Sequence, residues 1–279
     1  MIPPHRKSGD TNGHGDTAVH STYPAKKSLG QNFLVDENIA RKIVDTVSAS
    51  PADSLVEIGP GKGALTGLLA NTGARIVAIE KDGHLAEYLR TRFSGHPNVQ
   101  IVSGDFLEYE FGDRTSPVKV VGNIPYNLTS RIISRLVDNR EKIDSAVLMM
   151  QDEVASRLAG LPGTKEYGAI SVRLQLVAAV EKLFLVSPGC FRPRPRVDSR
   201  LVQIVFQSRD PLKDEDGFVM FVKGAFGMRR KMFRHFVASR YGKGAIEILK
   251  DRFKTGRIET FAPDEIYSMF VLLEKHVRP

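Results

Sequence analysis

The stretch from Ser54 to Met150 constrains the fold more than any other part of the chain. Short apolar runs and helical segments alternate through it as "SLVEIG", "GALTGLLANTG", "RIVAIE", "HLAEYLRTRF", "VQIVSGD", "VKVVGN", "LTSRIISRLVDN" and "DSAVLMM". Strands this uniformly apolar are buried on both faces, and the helices between them supply the crossovers that parallel strands require. The expected fold class is therefore α/β, a mostly parallel sheet covered on both sides. A helix should precede the first strand, because in "DENIARKIVDTVS" Asp36 can cap and Ile39, Ile43, Val44 and Val47 share one face. Later the pattern predicts a helix through Ala159, another from Ala169 to Ala179, and antiparallel strands near Leu183–Val186 and Leu201–Phe206. Beyond Asp210, "DEDGFVMFVKGAF", "RKMFRHFVASRYG", "GAIEILKDRF" and "APDEIYSMFVLLEKH" read as four helices. The expected organisation is a flexible tail at 1–25, an α/β domain at 26–208 and a smaller all-helical domain at 209–279, divided near "SRDP" at 208–211.

The ends of successive strands carry the chemistry. "VEIGPGKGALT" sets Gly59, Gly61 and Gly63 between a strand and a helix, so the chain can turn tightly and a ligand can approach the strand end. A phosphate-binding P-loop is excluded, since Gly63 follows Lys62 where Ser or Thr is needed and Val56 stands at the leading glycine position. The G-x-G-x-G spacing also departs from the G-x-G-x-x-G of dinucleotide loops. The next strand ends at Glu80, suited to accept from both ribose hydroxyls, and the one after it at Asp105, which can accept from an adenine amine. The fourth ends on "NIPY", offering the Asn123 amide, carbonyls directed by Pro125 and the face of Tyr126. Ligands of open α/β sheets lie at the carboxyl ends of the strands, so these four converge on a pocket for an adenosine-bearing ligand with little need for phosphate binding.

Composition removes other chemistries. With Cys190 as the single cysteine, neither an intramolecular disulfide nor a cysteine-based zinc site can be built. His5, His14 and His20 lie in the tail and read as unstructured rather than as metal ligands, and no metal is expected. No run approaches the roughly 18 apolar residues of a membrane span, the start lacks an apolar signal core, and Asp10 and Asp16 spoil a transit-peptide pattern. A cytoplasmic protein is expected. The net charge of +8 points to a polyanionic partner. Residues 221–257 hold eleven Lys or Arg against Glu247 and Asp251, interleaved with Phe221, Phe226, Phe233, Phe236 and Tyr241 as helical core. Such a surface suits the backbone of folded RNA.

The order of glycine loop, Glu80, Asp105 and Asn-Ile-Pro-Tyr resembles S-adenosylmethionine-dependent methyltransferases acting on adenine N6 and similar planar amines. The resemblance narrows at "KKSLGQNFLVDENI", "MMQDEVASRL", "YGAISVRLQL", "FRPRPRVDSRLV" and "AFGMRRKMFRH" to the bacterial small-subunit ribosomal RNA adenine N6,N6-dimethyltransferases, with Leu29 where an aromatic residue is usual. It implies a Rossmann-like methyltransferase domain with an RNA-binding helical domain behind it. It also implies S-adenosyl-L-methionine as cofactor, held by Gln31, Asn32, Leu34, Gly59, Gly61, Glu80, Lys81, Asp105, Phe106 and Asn123. The implied reaction dimethylates two adjacent adenosines of a small-subunit rRNA hairpin loop within a pre-ribosomal particle, by a monomeric enzyme. The resemblance assigns the amine acceptors to Asn123 and the carbonyl of Ile124, beside Pro125, and stacking to Tyr126; Phe191 is expected on the opposite face of the flipped base. RNA contacts are expected from Arg192, Arg194, Arg196, Lys223, Arg229, Arg230, Lys231 and Arg234. A related large-subunit rRNA adenine methyltransferase, a non-catalytic RNA-binding factor on the same fold and a protein glutamine methyltransferase are the competing readings. The lead-in at Gln31-Asn32, the intact Asn-Ile-Pro-Tyr turn and the basic helical segment respectively argue against them.

Overall fold

The computed structural model describes residues 24–26, 29–112, 116–207 and 212–277. Its strands are β1 (Phe33–Leu34), β2 (Ser54–Ile58), β3 (Arg75–Glu80), β4 (Val99–Ser103), β5 (Val118–Asn123), β6 (Ile143–Gln151), β7 (Ala178–Val186), β8 (Phe191–Arg192) and β9 (Ser199–Phe206). One sheet runs in the order β4-β3-β2-β5-β6-β9-β7. Strands β2 to β6 are parallel, and β9 joins β6 and β7 antiparallel, as the late apolar runs predict. From β2 the chain winds outward through β3 and β4, then returns to β5 on the other side of β2. That reversal opens a crevice at the strand ends, the place where doubly wound sheets bind ligands.

The sheet is buried on both faces. Helices α1 (Glu37–Val47) and α2 (Ala64–Ala70) cover one face over Leu55, Ile76, Val121 and Met149. Asp36 caps α1 by accepting from the Ile39 amide at 3.1 Å, and Ile43 and Val47 are buried. Helix α3 (Gly83–Arg92) follows β3. The other face, with Val56, Ile58, Val120 and Leu148, lies under α4 (Thr129–Asp138), α5 (Asp152–Leu158) and α6 (Ala169–Gln175).

Helices α7 (Glu215–Gly227), α8 (Phe233–Tyr241), α9 (Asp251–Thr255) and α10 (Pro263–Val277) follow the sheet. Phe218, Phe221, Phe233 and Phe270 belong to the same buried cluster as Ile132 and Val172, so this region continues the core on one sheet face. The "SRDP" boundary and the tail histidines lie outside the described residues. Two expectations need correction. The helix from Ala169 ends at Gln175, because Ala178 already pairs with Phe206 in the sheet. "GAIEILKDRF" is not one helix: a short 3-10 turn at Lys243–Ile246 and α9 are separated where Leu249 turns inward and Lys250 adopts extended backbone. Among the described residues no helix is long and apolar enough to cross a membrane, and no cluster of His, Cys, Asp or Glu could hold a metal ion.

Candidate active site

A cavity opens at the carboxyl ends of β2, β3, β4 and β5. It brings together Gln31, Asn32, Leu34, Gly59, Gly61, Glu80, Lys81, Asp105, Phe106, Asn123, Ile124, Pro125 and Tyr126, residues spread over nearly one hundred positions of sequence. Gly59 and Gly61 both have positive φ, 63° and 59°, a backbone region that strains other residues. This lets the loop fold back so that the Gly61 amide donates to Glu80 Oε2 at 3.0 Å. The Asp82 amide donates to the other carboxylate oxygen at 2.9 Å. Glu80 is buried, and burial pushes its carboxyl above the ordinary range despite those two bonds. Each oxygen keeps a lone pair for a further donor, as the hydroxyls of a ribose would supply.

Asp105 takes another form. Burial raises its carboxyl, but the Lys81 ammonium at 2.7 Å, the Leu107 amide and the charge of Arg131 outweigh burial and hold it below the ordinary range. Lys81 thus enters the site through Asp105.

The Asn-Ile-Pro-Tyr turn is braced from two directions. Asn123 Nδ2 donates to the Asn32 carbonyl at 2.8 Å, across 91 positions of sequence. The amide is thereby oriented with Oδ1 as its accepting end. The Pro125 carbonyl is taken by the Leu128 amide at 3.0 Å. The Tyr126 hydroxyl shares a 2.6 Å hydrogen bond with Ser199 Oγ, which is buried at the start of β9 and anchors the tip of the partly buried ring.

The lead-in closes one wall of the cavity. Lys26 Nζ pairs with Asp82 at 2.8 Å, the Lys26 amide donates to Gln31 Oε1 at 2.8 Å, and β1 pairs with β8 with Leu34 opposite Phe191. That pairing corrects the expectation for Phe191. Its ring has no exposed surface and packs with Leu34, Val186 and Leu201, so it supports the wall from behind and offers no face to a base.

The basic residues divide as well. Arg229 does not face a ligand: it pairs with Glu259 and donates to the carbonyls of Thr164 (2.8 Å) and Lys165 (3.0 Å), bracing the helical region against the loop before α6. Arg192, Arg194, Arg196, Lys223, Arg230 and Lys231 are exposed and Arg234 partly so, though Arg192 also donates to the Gly189 and Phe191 carbonyls.

Sequence reasoning passed over Glu57. It lies in β2, lines the cavity and accepts from the Thr66 hydroxyl at 2.7 Å. Burial, reinforced by the neighbouring Glu80 charge and only partly offset by Thr66, pushes its carboxyl up to about 7. The signal was present in "SLVEIG", where a lone carboxylate interrupts a buried strand.

Residues 23–275 match the family model described as ribosomal RNA adenine dimethylase. A ribosomal RNA small subunit methyltransferase A of Prosthecochloris aestuarii is 44% identical over 263 residues, covering 93% of this chain and 97% of its own length. Its namesake from Chlorobaculum parvum is 43% identical over 244 residues, 86% and 88% of the two chains. Among solved structures, a dimethyladenosine transferase from Plasmodium falciparum superposes with a TM-score of 0.77 at 21% identity, covering 88% of this chain and 98% of that one, and shares the fold. The 23S rRNA methyltransferase ErmE superposes with a TM-score of 0.69 at 27% identity, over 87% and 100%. With a family match across nearly its whole length and relatives above 40% identity, this chain belongs to the ribosomal RNA adenine dimethylase family.

Proposed function

We propose that this protein transfers methyl groups from S-adenosyl-L-methionine to N6 of two adjacent adenosines in a small-subunit rRNA hairpin loop, giving N6,N6-dimethyladenosine. The observation that carries this reading is the locked Asn123 amide beside Tyr126. An exocyclic amine is a poor nucleophile because its lone pair is delocalised into the ring. Asn123 Oδ1 and the Ile124 carbonyl accept its two hydrogens, favour a pyramidal nitrogen and so direct the lone pair out of the ring plane. Tyr126 supplies the stacking face, and its tie to Ser199 means that little side-chain freedom is lost when a base arrives.

The cofactor fits the donor set. Glu80 and Asp105, held by backbone amides and by Lys81 at two strand ends of one cavity, suit the hydroxyls and the exocyclic amine of an adenosyl ligand. S-adenosylmethionine supplies an electrophilic methyl group on a sulfonium. Glu80 would hold its ribose, Asp105 with Phe106 its adenine, and Gly59, Gly61, Gln31, Asn32 and Leu34 the surrounding wall. No strong general base is required, since a methylated amine is acidic enough to lose its proton to water.

Residues 26–208 act as the methyltransferase domain and 209–279 as a helical RNA-binding domain. Lys223, Arg230, Lys231 and Arg234, with Arg192, Arg194 and Arg196 of the loop at β8, meet the RNA backbone. The protein works as a monomer on pre-ribosomal small subunits in the cytoplasm. The relatives above 40% identity carry a small-subunit name, whereas the large-subunit enzyme shares 27%. The test is mass analysis of small-subunit rRNA from cells lacking the gene. Dimethyladenosine should disappear and return with the wild type, while Asn123→Ala should slow methyl transfer roughly a hundredfold without losing cofactor affinity. Unchanged dimethyladenosine in the deletion would refute the reading.

A further inference from the structure

A second cavity lies between α4, α6 and α7, outside the catalytic pocket but adjoining it, with Leu107 lining both. Its floor is apolar, formed by Leu107, Ile170, Val219 and Val222, and its rim is cationic. Asp138 is the one acid on that rim, and it is neutralised by Arg173, which also donates to Ser134 Oγ at 2.7 Å. Arg135 donates to the Tyr109 carbonyl at 2.7 Å, yet its buried Nε has no hydrogen-bond partner. Arg131 and Lys223 stand exposed on opposite walls, with no ion pair to either among the described residues. Arg131 also lies within electrostatic reach of Asp105 in the catalytic pocket.

The connection between the two cavities is a single helix. Tyr126 to Leu128 form the turn that enters α4, and the groove runs along the face of α4 carrying Ser130, Arg131, Ser134 and Arg135. A helix of this length spans about 15 Å, a distance that two to three nucleotides of an extended strand cover. An apolar floor under a cationic rim matches an unpaired nucleotide, whose base seeks a dry surface and whose phosphate seeks Arg or Lys. Duplex RNA would use the rim and leave the floor uncovered.

We propose that this groove is a second RNA subsite, seating an unpaired nucleotide that flanks the target adenosine, with its base over Ile170, Val219 and Val222 and its phosphate between Arg131 and Lys223. The proposal rests on the rRNA reading above and adds the positioning of neighbouring nucleotides to it. Engagement of this subsite orients the strand so that the target base is delivered to Tyr126, and its energy is spent on RNA binding rather than on cofactor binding.

The test compares wild type with the double variant Arg131→Ala, Lys223→Ala, and with the charge-conserving Arg131→Lys, Lys223→Arg. Both are surface changes that spare the braces made by Arg135 and Arg173. Two RNAs are used: a small-subunit hairpin with its unpaired flanking nucleotides, and the same hairpin with its loop shortened to the smallest that still holds both target adenosines, so that paired residues replace the flanking ones. On the first RNA the alanine variant should raise the RNA KM roughly tenfold and reduce the slope of log affinity against log salt by about 0.7, as expected when one phosphate of a single strand is no longer neutralised. The conservative variant should restore most of both, cofactor affinity by calorimetry should stay within twofold, and the alanine penalty should vanish on the shortened RNA. An unchanged KM and salt slope would overturn the proposal, as would an equal penalty on both RNAs or a parallel loss of cofactor affinity. Failure of the wild type to methylate small-subunit particles that lack the modification would instead refute the rRNA reading itself.

Discussion

Replacing Glu57 with Gln should make the protein more stable at neutral pH, although it deletes a charged group at the centre of the molecule. The carboxyl is fully buried, with Thr66 as its hydrogen-bond donor and Glu80 as a like-charged neighbour. Burial first, and Glu80 second, lift it from an ordinary 4.5 to about 7. The folded protein therefore binds more protons than the unfolded chain between those values. The stabilisation is fully present below pH 4.5 and is lost as the pH rises through 7. The whole difference corresponds to about 3 kcal/mol, most of which falls between pH 5 and 8. Gln keeps an oxygen for the Thr66 hydroxyl and carries no charge, so the variant should lose none of this. Asp53, Asp82 and Asp105 are shifted downward; their stabilisation disappears only as the pH falls through their folded values, and it cancels in the difference between the two proteins. Urea unfolding of both proteins at pH 5, 6, 7 and 8 measures the effect. The advantage of Glu57→Gln should grow by about 2–3 kcal/mol across the series, equivalent to roughly 5–10 °C in Tm. A stability difference that stays constant from pH 5 to 8 would show that Glu57 is already ionised in the folded protein.

Two further outcomes follow from the site and its scaffold. Glu80→Ala should weaken S-adenosylmethionine binding by about 1–3 kcal/mol in calorimetry, by removing the charged acceptor proposed for the ribose, and an unchanged affinity would remove Glu80 from that role. Gly122→Ala should destabilise the protein by about 1–3 kcal/mol in urea unfolding, because a Cβ there would lie 2.6 Å from the Ile58 carbonyl oxygen of the neighbouring strand, where only movement of the sheet backbone could relieve it; stability equal to wild type would refute that contact.

Much of the architecture was legible because it is written in local pattern. Apolar runs long enough for strands, helices of 3.6-residue period between them and glycines at the first turn determine a doubly wound sheet before any contact is known. The same logic located Glu80, Asp105 and Asn123, since a parallel sheet delivers the end of each strand to one edge. The "GAIEILKDRF" segment was less legible because its helical period competes with the inward turn of Leu249, a tertiary preference that outweighs propensity over so few residues.

What the sequence by itself determined is which residues arrive at the edge of the sheet. What only the tertiary structure decided is what each then has left to give. Phe191 reads as an aromatic ligand in a basic loop, but the pairing of β8 with β1 turns its ring into the core. Arg229 reads as one cation in a cluster, and Glu259 with two carbonyls takes its hydrogen-bonding capacity. Asn123 can present either end of its amide until the Asn32 carbonyl engages the nitrogen. Glu57 reads as an ordinary carboxylate until burial beside Glu80 sets its charge. The physical reason is common to all four. Periodicity is a property of neighbouring residues along the chain, whereas exposure, hydrogen-bond satisfaction and protonation depend on groups brought alongside from distant positions only when the chain has folded.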